Sequence, residues 1–185
     1  MVLTDREIQA AIACKHISIT PSPSPIAYSS TSVDLTLGKF IRLWKQIHAK
    51  GVEAPIVCPA TEGYKFAEFS KEYSDLRELD EQGYVIEPNV FILGWTSEDI
   101  NLPVTSRFAA RVEGKSSLAR LGISVHMTAP TIHAGFTGQI QLEICNHGTL
   151  RVKLSTGMPV CQLILEQTLG TPDKGYTGQF QGQKM

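Results

Sequence analysis

Short segments in which apolar and polar residues alternate recur along most of this chain, and they constrain its fold more than any other feature. Gly, Pro, Asn and Thr separate these segments, which is typical of many short strands joined by turns in a β-sandwich or barrel. The strand-like segments are SVDLTLGKF (32–40), VIEPNVFILGWT (85–96), FAARV (108–112), ISVHM (123–127), QIQLEI (139–144), LRVKL (150–154) and VCQLILEQ (160–167). We therefore predict a mainly β fold.

The remaining segments lack this alternation and predict a helix, loops and a polar tail. Thr4 and Glu7 have the spacing of a capping box, and the apolar residues that follow share one face, which predicts a short amphipathic helix over 5–15. Residues 45–84 are more charged, and we interpret them as a loop-rich excursion. The polar, glycine-rich segment 171–185 has too few apolar residues to carry core, and it is either a disordered end or a flexible lid that orders on a ligand.

Composition limits the size of the molecule and the class of its partners. With 185 residues, 42% of them hydrophobic, the chain can bury one sizeable core, so we predict a single domain over 1–185. The net charge of −1 argues against nucleic acid as a partner. No apolar run approaches the roughly 20 residues of a membrane span, and MVLTDREIQ lacks the build of a signal peptide.

The four cysteines are scattered along the chain and form no CxxC motif. They are Cys14, Cys58, Cys145 and Cys161. Their spacing matches no disulfide framework, so we predict reduced, buried thiols in a cytoplasmic protein.

The stretch EGKSSLARLG places two hydroxyls and two cations between two glycines. Ser116 or Ser117 can cap a short helix, and Gly122 suits its C-terminal stop. Backbone N–H groups at the start of this helix, together with Lys115 and Arg120, would form a cradle for a phosphate group. GxxxxGK[ST] and GxGxxG are both missing from the chain. The alternative interpretation is a capped surface turn with two solvated cations.

The segment QIQLEI directs Gln139, Gln141 and Glu143 to one face and its apolar residues to the other. From this pattern alone, Glu143 is a solvated strand residue unless the polar face lines a pocket. His126 and His133 bracket TAPTI, but the HxE…PCxxC signature of zinc deaminases and HExxH do not occur. We therefore predict no zinc site.

The block VEGKSSLARLGISVHMTAPTIHAGFTGQIQLEICN (112–146) resembles the centre of the dCTP deaminases, the metal-free branch of the dUTPase-like superfamily. LTDREIQAAI, SVDLTLG and the tail segment YTGQFQGQ resemble the two ends of the same family. The resemblance implies a distorted, jelly-roll-like β-barrel with a short N-terminal helix and a small central helix. It also implies a homotrimer in the cytoplasm with sites between subunits, and deamination of dCTP to dUTP and ammonia for dUMP and dTTP biosynthesis.

The resemblance also implies roles for individual residues. Glu143 would carry the proton, Ser116 and the carbonyl of Ala129 would hold the water, and Arg120 would supply positive charge. The implied nucleotide-binding residues are Lys115, Ser116, Ser117, Arg120, Thr131, His133, Gln141, Leu142, Glu143, Gln162, Tyr176, Gln179 and Gln183. Mg²⁺ is expected on the triphosphate of the nucleotide, without zinc, and dTTP is a candidate inhibitor.

Three positions depart from the family pattern. Thr131 stands where several members carry arginine, and Gln179 stands where a lysine is often found, with Lys174 nearby. His133 replaces an aspartate that contacts the sugar and that, in dUTP-hydrolysing relatives, helps to activate water. Two other functions stay open: dUTP diphosphatase, alone or joined to the deaminase, and a nucleotide-binding trimer without turnover. His133 argues against the first of these and Glu143 against the second.

Overall fold

The computed structural model describes residues 1–45 and 54–184, and this part of the chain is mainly β. The helices are α1 (Asp5–Ala13), α2 (Phe66–Tyr73) and α3 (Ser116–Ala119). The strands are β1 (Ser18–Thr20), β2 (Tyr28–Ser29), β3 (Ser32–Trp44), β4 (Ser74–Glu78), β5 (Tyr84–Ile86), β6 (Phe91–Asn101), β7 (Phe108–Gly114), β8 (Ile123–Ser124), β9 (Thr137–Asn146), β10 (Val152–Leu154) and β11 (Pro159–Gln167). Within the described ranges, no helix is long and apolar enough to cross a membrane.

One curved antiparallel sheet dominates the fold. Its strand order is β7-β11-β3-β6-β9-β8, with β1 added on β6 and with β2 and β4 added on β3, while β5 and β10 form a separate pair. The register shifts where β3 meets β6, between Leu37 and Ile41, and where β6 meets β9, between Trp95 and Asp99. Such irregularities bend a strand and increase its twist, so the sheet curls toward a barrel. The predicted distorted barrel is confirmed.

The alternating segments direct their apolar faces into one core. Val33, Leu35 and Leu37 of β3 are fully buried, and the buried positions of β9 alternate with half-buried polar ones, as the sequence pattern predicts. The alternation on β9 is what turns Gln141 and Glu143 away from the core. The same strand therefore anchors the fold with one face and presents polar groups on the other.

The excursion over 45–84 contains more regular structure than we predicted from its charge. Phe66, Phe69 and Tyr73 recur at helical spacing on α2, and the ring of Trp44 packs against the first two. Strand β4 then pairs with β3, and β5 pairs with β10. The loop-rich interpretation is wrong for these elements, because an aromatic stripe gives α2 an apolar face that charge counting overlooks. Residues 46–53 of the excursion lie outside the described residues.

The two predicted helices form with adjusted ends. Helix α1 ends at Ala13, two residues earlier than predicted, and Lys15 adopts a left-handed conformation just beyond it. The amide of Thr4 donates to the Glu7 carboxylate at 3.1 Å, which confirms the capping box. The hydroxyl and the amide of Thr4 lower the pKa of Glu7 by hydrogen bonding.

Helix α3 begins differently from the prediction. Lys115 occupies its N-cap position, and Ser116 already lies within the helix, so neither Ser116 nor Ser117 is the cap. Gly122 has a φ of +87°, which confirms the predicted glycine stop. Strand β8 covers only Ile123–Ser124, so the strand predicted over 123–127 is also too long. The chain leaves the sheet there, which frees the residues after β8 to approach β9.

The cysteines are all free, but only one of them is fully buried. Burial raises the pKa of the Cys161 thiol on β11, which disfavours its reactive thiolate. Cys145 is half-buried, whereas Cys14 and Cys58 are exposed. The prediction of buried thiols is therefore wrong for Cys14 and Cys58, which lie beyond the end of α1 and in the excursion.

Gly122 offers a stability test of the turn that follows α3. Replacement by alanine should destabilise the fold by about 3 kcal/mol or more, since the residue has a positive φ and the new Cβ would clash with the backbone of Gly148. Gly157 is a matched control, because its φ is +77° but nothing lies within 4 Å of an added Cβ. Gly157→Ala should cost only about 1 kcal/mol. Equal losses in urea denaturation would show that the clash with Gly148 is absent.

Candidate active site

A pocket of about 240 Å³ opens between β9, the loop that precedes it and the C-terminal tail. Most of its wall is apolar, with Ile132, Phe136 and Phe180 among the lining residues. The predicted site residues that line it are Ala129, Thr131, His133, Gln141, Glu143, Tyr176 and Gln183. A concave, mostly apolar pocket with a few polar groups directed into it is the usual form of a small-molecule site.

Glu143 is the carboxylate of this pocket. The alternation of β9 directs it away from the core, and its side chain is 27% exposed. Its Oε2 accepts a hydrogen bond from the backbone N–H of Met127 at 3.4 Å and lies 3.9 Å from Nδ1 of His126. The end of β8 brings both groups to the carboxylate. The sequence indicated His126 only as a possible metal ligand, so its position beside Glu143 was not predicted.

The tail lies across the pocket. The backbone N–H of Tyr176 donates to the carbonyl of Ala134 at 2.9 Å, and Nε2 of Gln183 donates to the carbonyl of Gln139 at 2.8 Å. Tyr176 also packs against the hydrophobic core, and its ring stacks on His133 with 6.1 Å between centroids. The expectation that the tail contributes nothing to the core is therefore wrong for Tyr176. The tail's flexibility as a lid stays a prediction.

The predicted phosphate cradle lies apart from this pocket. Nζ of Lys115 is 2.5 Å from Oδ2 of Asp34, and Nε2 of Gln162 donates to Oδ1 of the same carboxylate at 3.3 Å. Gln162 and Asp34 face each other because β11 and β3 pair in that register. Ser116 and Arg120 are exposed and do not line the Glu143 pocket. Within one chain, the predicted cradle and the Glu143 pocket therefore do not form a single site.

Three further residues from the predicted site fall elsewhere. Ser117 is exposed on α3 beside Ser116. The side chain of Leu142 is buried in the core, so only its backbone could reach a nucleotide. Gln179 lies in a second cleft beside α2, where its Oε1 accepts a hydrogen bond from the backbone N–H of Phe66 at 3.4 Å.

The two histidines considered as zinc ligands have different surroundings. His126 lies beside Glu143, whereas His133 stacks on Tyr176. Across residues 1–45 and 54–184, no group of three or more His, Cys, Asp or Glu side chains is arranged to hold a metal ion. The expected absence of zinc remains a prediction.

Comparisons with known proteins identify the family. The dCTP deaminase-like family matches residues 2–168. A protein of Beutenbergia cavernae named dCTP deaminase, dUMP-forming, is 36% identical over 190 residues, which cover 100% of this chain and 91% of that protein.

Solved structures share the fold. The 2′-deoxycytidine 5′-triphosphate deaminase of Agrobacterium tumefaciens aligns with a TM-score of 0.66 at 24% identity, over 89% of this chain and 47% of that chain. A mutant dUTPase of phage 80alpha aligns with a TM-score of 0.50 at 9% identity, over 88% of this chain and 96% of that chain. With its dUTPase-like fold and its match over residues 2–168, the chain belongs to the dCTP deaminase-like family.

Proposed function

We propose that this protein is a hydrolase of cyclic amidine C–N bonds that deaminates dCTP to dUTP and ammonia. The observation that carries the proposal is the Glu143 carboxylate, held by the amide of Met127 at the wall of a mostly apolar pocket. The family and the name of the Beutenbergia relative support dCTP as the substrate. The reaction would supply dUMP and dTTP synthesis, and its expected location is the cytoplasm, with dTTP a candidate inhibitor.

The chemistry requires a proton carrier. Water must add to C4 of cytosine while N3 gains a proton, and the exocyclic amino group must then leave as ammonia. Glu143 would take the proton from the water and deliver it to N3, and then help to transfer a second proton to the leaving amine. Ala129 lines the same pocket and would hold the water through its backbone carbonyl. Backbone groups around TAPTI would distinguish cytosine from uracil by their donor–acceptor pattern.

The separation of the predicted cradle from the Glu143 pocket supports a homotrimer with sites between subunits. Ser116 and Arg120 are assigned to the water and the phosphates, yet neither lines the pocket that holds Glu143. A second copy of the chain could bring its α3 to this pocket and complete the site. Both residues are exposed on the single chain and therefore free to make such a contact.

The expected Mg²⁺ fits a nucleotide-borne ion better than a protein-bound one. The described residues contain no cluster of carboxylates, histidines and cysteines that would enclose it. Mg²⁺ commonly binds through substrate phosphates, where it neutralises part of their charge. The tail residues Tyr176 and Gln183 would then contact the phosphates and close the pocket.

A second candidate function is the further hydrolysis of dUTP to dUMP and diphosphate. The words "dUMP-forming" in the name of the Beutenbergia relative favour it. His133, at the position of the family aspartate, argues against it, because imidazole can bond a sugar hydroxyl but replaces a water-activating carboxylate poorly. Glu143 argues against a trimer that binds nucleotide without turnover, because binding alone does not require a carboxylate that carries protons.

Product analysis distinguishes these functions. The purified protein is incubated with dCTP and Mg²⁺, and the nucleotides are separated by chromatography. Formation of dUTP supports the deaminase, and dUMP with diphosphate supports the bifunctional enzyme. Unchanged dCTP would contradict both and favour a binding protein.

Removal of metal should affect the substrate and not the protein. We expect EDTA to lower activity only by removing Mg²⁺ from dCTP, so that added Mg²⁺ restores the full rate. Elemental analysis should find no zinc in stoichiometric amount. Zinc at one atom per chain, with activity lost when it is removed, would contradict the metal-free mechanism.

A further inference from the structure

A cleft of about 280 Å³ lies between α2, the tail and strands β3 and β6. Its charged lining residues are Arg42, Lys65, Lys71 and Lys184, and among the residues that the structure describes no carboxylate lines it. We call it the cationic cleft. None of these four residues belongs to the site predicted from the sequence.

The buried charge of Arg42 indicates that this cleft binds an anion. Only 8% of the residue is exposed, and Nη1 donates to the carbonyl of Ser70 at 3.2 Å and to the hydroxyl of Ser74 at 3.1 Å. No carboxylate lies within 4 Å of it among the described residues. Burial lowers the pKa of the guanidinium, but an arginine remains charged. A buried charge is costly unless it is paired, so an anionic ligand in the cleft would compensate it.

The lysines add positive charge that is only partly neutralised. Lys71 makes no ion pair within the described part of the chain. Lys65 pairs with Glu68 at 3.0 Å and Lys184 with Asp99 at 3.7 Å, and both of these lysine side chains are highly exposed. Exposed pairs of this kind are weak, and the lysines can exchange them for a more highly charged ligand.

The cationic cleft adjoins the Glu143 pocket. Gln141, Phe180 and Gln183 line both, so a ligand with its base in the pocket could extend past these side chains into the cleft. Gln179, which stands where a lysine is often found in the family, also lines the cleft. Lys65 and Lys71 bring positive charge to the same cleft from the N-cap position and the last turn of α2.

The cradle on α3 leaves part of the phosphate charge uncompensated. Lys115 is already paired with Asp34 at 2.5 Å, so its charge is largely neutralised within the chain. A triphosphate carries several negative charges, and Arg120 is the remaining cation of that cradle.

We propose that the cationic cleft is a second phosphate subsite, in which Arg42, Lys65 and Lys71 bind the outer phosphates of the nucleotide whose base occupies the Glu143 pocket. This inference rests on the proposed deamination of dCTP. It gives the α2 excursion a function in substrate binding.

The test replaces the two exposed lysines of the cleft. Lys65→Gln and Lys71→Gln, alone and together, remove charge without disturbing the core. We expect the double variant to raise the KM for dCTP roughly tenfold with kcat nearly unchanged, because charge-assisted phosphate contacts made equally in the ground and transition states affect only binding. Inhibition by inorganic tripolyphosphate should weaken by a similar factor, whereas the inhibition constant of dCMP should stay within about twofold of wild type.

Lys39→Gln is the matched control, since Lys39 is an exposed lysine paired with Glu78 at 3.1 Å and does not line the cleft. An equal rise in KM in this control, or an equal weakening for dCMP, would overturn the subsite. Unchanged binding in the double variant would overturn it as well. If wild-type protein does not deaminate dCTP, calorimetric titration with tripolyphosphate still decides, because weaker binding in the double variant than in the control supports the subsite and equal binding refutes it.

Discussion

Replacing Glu143 with glutamine is expected to lower dCTP turnover at least about 1000-fold, while the fold and dCTP binding are retained. Glutamine has nearly the same shape and can still accept a hydrogen bond from the Met127 amide, which now lies 3.4 Å from the carboxylate. It cannot accept a proton from water and pass it on. Ammonia release measures the chemical step, and calorimetric titration with dCTP measures binding.

Glu78→Gln provides the control for this experiment, because Glu78 is an exposed glutamate on β4 that pairs with Lys39 and does not line the pocket. It should have wild-type activity. Near-normal turnover in Glu143→Gln would contradict the proposed proton transfer. Loss of dCTP binding in the same variant would indicate that the carboxylate positions the nucleotide instead.

The barrel could be predicted from the sequence because its signal is local. Apolar and polar residues alternate within each strand segment, and the buried residues of β3 and β9 follow from that pattern. The register shift of β3 against β6, between Leu37 and Ile41, could not be predicted, since it depends on how two strands distant in the sequence pair. Helix α2 was missed for a different reason: the charge of the excursion drew attention away from Phe66 and Phe69, which have helical spacing and pack against Trp44.

The site was predictable only in part. The alternation of β9 placed Glu143 on a polar face of the strand. Whether that face is solvated or lines a pocket depends on the tertiary structure, so the role of Glu143 could not be decided from the alternation. The approach of His126 and the Met127 amide to Glu143 depends on β8 ending early, for which the sequence carries no strong signal. The separation of α3 from the Glu143 pocket is likewise invisible in the chain order, although it bears directly on the proposed trimer.

The second large effect concerns the tail. Deletion of residues 171–185 should lower kcat/KM for dCTP roughly 100-fold, because it removes the lid that positions the nucleotide and excludes water. Tyr176, Phe180 and Gln183 would all be lost from the pocket wall. The Tm should fall only slightly, since Tyr176 is the tail's main contact with the core. Hydrogen exchange of the intact protein should show tail amides that become more protected when dCTP binds.

Variants of two tail glutamines distinguish a role of the tail in closing the pocket from a role that requires only its attachment to the rest of the protein. Gln181 and Gln183 each donate one side-chain hydrogen bond of 2.8 Å to a backbone carbonyl, of Gly135 and Gln139 respectively. Only Gln183 lines the Glu143 pocket. Gln183→Ala should therefore lower kcat/KM about tenfold, whereas Gln181→Ala, which loses an equivalent bond, should stay close to wild type. If both variants lose activity equally, the hydrogen bonds that hold the tail on the protein matter, and the position of Gln183 in the pocket has no separate effect. If neither variant nor the truncated protein loses activity, the tail is not a lid, and the contacts assigned to Tyr176 and Gln183 are wrong.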